Sequence, residues 1–124
     1  MGTMKIEKCE SNGRMSRVVL GGDTIYLSGM VAPAECVNIT EQTQWLTAKI
    51  EQTLQAYHSS KENILSAAVY LRDINDFSEM NKVWDQWLSD ILPPSRTCVE
   101  AGLASSHALI EITVIAAKAE PAAC

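Results

Sequence analysis

Two stretches of this chain are apolar at nearly every position: "ILSAAVYL" (64–71) and "LIEITVIAA" (109–117). A strand solvated on one side alternates apolar with polar residues, whereas an unbroken apolar run needs cover on both faces. Both runs are short for helices, and the second is rich in β-branched residues, so they read as buried strands. The fold must therefore supply helices for one face of a sheet. The second face must meet another subunit or a ligand cavity, because a large apolar face rarely stays in water.

The remaining segments provide those parts. "RVVL" (17–20) and "TIYLSGMV" (24–31) flank "GGD", a hairpin signal, with Ile25 and Leu27 on one face and Tyr26 and Ser28 on the other. Residues 38–57 predict a helix: Asn38 caps, Glu41 completes a capping box, and Leu46, Ile50, Leu54 and Tyr57 form the apolar stripe. A second helix is expected in "DINDFSEMNKVWDQWLSDI". Asp76 is its cap and Glu79 its box residue, and Phe77, Met80, Trp84, Trp87, Leu88 and Ile91 form its buried face, with Asn81 beside it. "LPP" ends it. A strand "RTCVEA" (96–101) and the last apolar strand follow, and "KAEPAAC" reads as a frayed tail. The predicted order is ββαβαββ: an α+β sandwich of one mixed sheet with two helices on one face.

Length and charge narrow the function. The 124 residues fit one domain. Ten basic against fifteen acidic residues give a net charge of −5 with no Lys/Arg cluster, which disfavours a nucleic-acid partner. No run is long enough to cross a membrane. The charged N-terminus lacks the apolar stretch of a secretory signal, and the cysteines at 9, 36, 98 and 124 form no CxxC pair. Free thiols in a reducing, cytoplasmic setting are expected. His58 and His107 stand at no metal-ligand spacing, and no glycine-rich phosphate loop is present, so no metal or cofactor is expected.

The chemistry concentrates in the last two strands. Arg96, Cys98 and Glu100 share one strand face. Glu111 is one carboxylate among Leu109, Ile110, Ile112, Val114 and Ile115, and such a carboxylate needs a partner. Arg96, in the same sheet, is the expected one, and an ion pair that merely orders an interface is the plainer reading of the two. Cys98 alone is more often a small buried hydrophobe than a nucleophile. Ser28 lacks the context of a serine nucleophile and reads as a strand residue. Asn81 can bond to the backbone at the edge of its helix.

The blocks "TIYLSGMVA", "QTQWLTAKIEQTL", "VYLRDINDFSEMNKVWDQW" and "PPSRTCVEAGLASSHALIEI" together resemble the Rid superfamily, also called YjgF, over about residues 14 to 117. The resemblance implies a fold like that of bacterial chorismate mutase, in a homotrimer with ligand clefts between neighbouring subunits. It further implies a cofactor-independent deaminase that hydrolyses small 2-imino acids or enamines to 2-keto acids and ammonia. By position, Arg96 would grip the substrate carboxylate with Cys98 beside it. Glu111 would hold or activate water, and Ser28 and Asn81 would line the cleft. The tyrosine that active members carry ahead of the first strand falls near Met15 here, in "NGRMSRVV", and Thr97 stands where the family places a small or apolar residue. A non-catalytic trimer that binds small carboxylates is the second reading.

Overall fold

The computed structural model describes residues 4–119. Its elements are β1 (Ile6–Ser11), β2 (Ser16–Gly21), β3 (Thr24–Leu27), α1 (Ile39–Ala56), β4 (Ile64–Leu71), α2 (Phe77–Trp87), β5 (Ser95–Glu100) and β6 (Ile110–Ala117). They form one six-stranded sheet in the order β1-β2-β3-β6-β4-β5. Every pair is antiparallel except β4 with β5, which run parallel across the α2 crossover. The α+β architecture matches the expectation, with one strand more. The segment "IEKCES" gave no apolar signal because β1 is an edge strand with mostly exposed side chains. It is held by its ladder to β2.

Both apolar runs are strands, and their pleat sorts the residues. Ala67, Val69, Leu71, Ile110, Ile112, Val114 and Ala116 are buried beneath the helices with Ile25 and Leu27. Between them, on the opposite face, Ser66, Ala68, Tyr70, Glu111, Thr113 and Ile115 are half-buried within a single chain. Tyr26 and Val99 are exposed.

The helices are set by their ends. At α1, Asn38 is extended (φ −123°, ψ 170°) and its side chain accepts from Glu41 N at 2.8 Å, a contact worth about 1 kcal/mol. Glu41 Oε2 reaches one residue further back than an ideal box and accepts from Val37 N. Leu46, Ile50 and Leu54 are fully buried, and Tyr57 is half-buried at the C-cap. Helix α2 corrects the expectation at its start. A 3-10 turn, Ile74–Asp76, precedes it, and Asp73 caps that turn by accepting from Asn75 N. Asp76 is thereby already in a helical conformation (φ −81°, ψ 0°) and makes no capping bond, while Glu79 pairs with Lys82 instead. Burial, with Asp73 nearby, raises the Asp76 carboxyl above its usual range. Met80, Trp84 and Leu88 are buried, but Phe77 is 38% exposed. Lys118 N and Ala119 N bond to Asp23 O and His58 O. The rest of the expected frayed tail lies outside the described residues.

Candidate functional site

Arg96 is placed by β5 and oriented by α2. In the parallel ladder Arg96 lies opposite Ala67 and Cys98 opposite Val69, so both point to the helix-covered face. Phe77, Asn81 and Trp84 recur at helical spacing (i, i+4, i+7) and present one stripe to that strand. The guanidinium carbon stands 5.6 Å from the Phe77 ring centre and 5.4 Å from that of Trp84, a cation–π arrangement that restricts the plane of the group. Trp84 is itself fixed edge-on to Trp87, centroid to centroid 5.4 Å. Arg96 Nη1 donates to Asn81 Oδ1 at 2.8 Å.

Arg96 has no carboxylate within ion-pair distance among the described residues. Among the described residues no buried side-chain nitrogen or oxygen lacks a partner, so Nε and Nη2, which have none there, reach solvent. That is the edge from which a guanidinium gives two parallel hydrogen bonds to a carboxylate. Arg96 also lines a hollow of about 320 Å³ together with Trp84, Asp85, Leu88, Pro93 and Pro94. Cys98, half-buried two residues on, has its thiol pushed up by burial, with Arg96 opposing weakly. That direction favours the thiol over the thiolate, the form a nucleophile needs.

Glu111 belongs to a second cluster. It lies opposite Tyr70, on the open face. Strand β3 ends at Leu27 because Ser28 and Gly29 leave the ladder before Met30 bridges back to Ile112. The Glu111 carboxylate lies against the backbone in that break. A Cβ on Gly29 would collide with Glu111 Oε2 and stand 3.1 Å from its Cδ and 3.3 Å from its Cγ. The missing Cβ leaves the space that the carboxylate fills. The half-buried Ser28 is anchored by its N–H to Arg17 O at 2.9 Å.

Arg96, Asn81 and Cys98 are thus brought together, as are Ser28 and Glu111, but the two groups are separated within one chain. The expected Arg96–Glu111 ion pair does not form. Strand β4 lies between their strands, which puts them roughly 10 Å apart laterally at the usual strand spacing. Ala67 and Tyr70, their partners on β4, also face opposite sides of the sheet. Ser28 is one strand further away. The sequence shows which residues share a strand face, but not which strand intervenes or which face each presents.

Three participants were not singled out from sequence. Gly29 carried a signal, a glycine directly after a β-branched and aromatic run. Phe77 and Trp84 were read only as core, yet they also orient the cation. Beside Ser28 and Gly29 a groove of about 570 Å³ opens between α1 and the β1–β2 hairpin, and Met15 lies on it. His107 is fixed by Ala32 O and the Ser105 hydroxyl. No cluster of metal-binding side chains occurs among the described residues, and none of the described helices is long and apolar enough to cross a membrane.

A mixed sheet under two helices, with an oriented cation near one edge and a carboxylate folded against a strand break, defines an α+β chain with a divided polar site. A family model described as Endoribonuclease L-PSP matches residues 5–118. A RutC family protein of Haemophilus influenzae is 36% identical over 114 residues, 91% of this chain and 98% of that one. One from Saccharolobus solfataricus is 38% identical over 112 residues, covering 86% and 88%. The crystal structure of a YjgF family member from Neisseria meningitidis superimposes with a TM-score of 0.90 at 38% identity, covering 97% of this chain and all of that one. The chain belongs to this family, known as YjgF or Rid.

Proposed function

We propose that the protein is a cofactor-independent deaminase. It hydrolyses 2-imino acids, or their enamine tautomers, to 2-keto acids and ammonia in a cleft that two copies of a homotrimer build together. Arg96, Asn81 and Cys98 of one copy face Ser28, Gly29 and Glu111 of the next. The observation that carries this reading is the free two-donor edge of Arg96. Its third nitrogen is held by Asn81 and its plane by two aromatic rings.

The chemistry follows from these groups. The substrate carboxylate takes the Nε–Nη2 edge of Arg96, with the Cys98 thiol as a neutral wall. That fixes the imine carbon, and orientation supplies much of the acceleration in a reaction that is already feasible in water. Glu111 takes a proton from water as the oxygen adds to carbon. The same proton goes to the nitrogen; Glu111 then takes the carbinol hydroxyl proton as the C–N bond breaks and passes it to the departing ammonia, so the iminium and one water give a keto acid and ammonium. The residues present are sufficient for this sequence without a metal. The net charge of −5 opposes a polyanionic substrate and supports a small one. The free cysteines at 9, 36 and 98 support a reducing, cytoplasmic setting.

The test generates imines from several amino acids with an amino-acid oxidase and measures survival with a semicarbazide trap. The reading requires less trapped imine with the protein than without it, and restoration by Arg96→Ala. Trapping that is unchanged at high protein concentration across the series refutes it. Met15, where active relatives carry tyrosine, favours one alternative, a trimer that only binds small carboxylates. That alternative requires a ligand-dependent rise in melting temperature without turnover.

A further inference from the structure

We propose that the groove between α1 and the β1–β2 hairpin receives the side chain of the ligand, and that Met15, Met30 and Trp45 select bulky apolar 2-imino and 2-keto acids over small ones. The inference rests on the reading above for the position of the ligand's carboxylate.

The groove starts at the candidate site. Ser28, Gly29 and Met30 line its near end, where the Glu111 carboxylate lies against Gly29. The bond from Ser28 N to Arg17 O puts Met15, two residues earlier in the chain, beside the same end. Along the helix wall, Trp45, Lys49, Gln52 and Thr53 follow one another at helical spacing. From Trp45 to Tyr57 the helix rises roughly 18 Å, more than a three-carbon acid needs.

Its walls are graded. Met15 and Trp45 are 39% and 36% exposed and turn apolar surface to the groove. Thioether and indole surfaces adapt to aliphatic and aromatic partners of varied shape. The far end is polar: Tyr57 Oη donates to Glu10 Oε2 at 2.8 Å. Glu10 achieves this from a left-handed backbone conformation (φ 54°), and the β1–β2 ladder skips it between the pairs Cys9–Val18 and Ser11–Ser16. Such a conformation is unfavourable for a non-glycine residue and persists where the surroundings hold it, commonly at binding sites. The volume of about 570 Å³ lies in the range of small-molecule sites.

The experiment measures calorimetric binding of pyruvate and phenylpyruvate to the full chain. Phenylpyruvate should bind at least about tenfold more tightly, the low end of what added apolar contact gives in a pocket. Trp45→Ala should bring the ratio to within about threefold of unity and Trp45→Phe should restore most of it, with circular dichroism and oligomeric state confirming the fold. Equal affinities in the native protein, or an unchanged ratio in folded Trp45→Ala, overturn the inference. Selective binding without imine turnover sustains the groove and removes the deaminase reading. Turnover without side-chain preference does the reverse, and failure to bind either acid overturns the groove while imine trapping decides the deaminase reading.

Discussion

Substituting Gly29 with alanine tests whether the Glu111 carboxylate must sit where it does. Gly29 is not in the left-handed region, so the backbone accepts alanine. The new methyl would overlap Glu111 Oε2, and ordinary contact begins at 3.4 Å. The carboxylate must therefore retreat by roughly 1 Å or more, a displacement that costs on the order of 100-fold when it misplaces a reacting group. Stability should hardly respond. Moving a flexible, half-buried side chain off its rotamer costs about 0.5–1.5 kcal/mol, and replacing glycine returns about 0.4–1 kcal/mol through the unfolded chain. The measurements are imine trapping and a thermal melt on the same preparation. The expected result is activity down about 100-fold with a melting temperature shifted by no more than about 5 °C. Gly29→Ala with activity within threefold of native would refute the placement of water by Glu111. A large loss of melting temperature would show instead that the contact locks the fold.

Three further outcomes are expected. Cys98 should alkylate more slowly than a free cysteine at pH 8, because burial holds its thiol protonated, and Arg96→Ala should slow it further by removing the one charge that opposes burial; mass-resolved labelling reads both. Tyr57 is pushed up to about 12, chiefly by its hydrogen bond to Glu10. Its contribution to stability should be whole below about pH 10 and vanish as pH rises through 12, with a late tyrosinate absorbance step that Tyr57→Phe abolishes. Asn38→Ala should cost about 1 kcal/mol, roughly 3–6 °C in a melt, by freeing the Glu41 N–H; an unchanged melting temperature would show that this cap does not hold α1.

The two apolar runs were legible because their composition has one economical use, as strands covered on both sides, and both are strands. Asn38 and Glu41 were legible because capping is local, and the structure differs only in which N–H Glu41 reaches. Asp76 misled for the same reason: a 3-10 turn capped by Asp73 satisfied the start of α2 first. Strand β1 was invisible because its exposed edge needs no apolar pattern. In the candidate site, the shared face of Arg96 and Cys98 follows from pleat alone. The Arg96–Glu111 pairing failed because strand order and absolute face are tertiary properties, set by which strand β6 joins. The cation–π seat of Arg96 needed the packing of α2 on β5, which no local pattern encodes.

Complementation between two inactive variants tests the shared cleft most directly. Arg96→Ala and Glu111→Gln would be unfolded together in equal amounts, refolded, and compared with each variant refolded alone. In a ring where each cleft takes Arg96 from one copy and Glu111 from its neighbour, random mixing leaves about a quarter of the clefts fully native. Recovery of about a quarter of native activity is expected; mixed oligomers as inactive as their parents would contradict a cleft built by two copies.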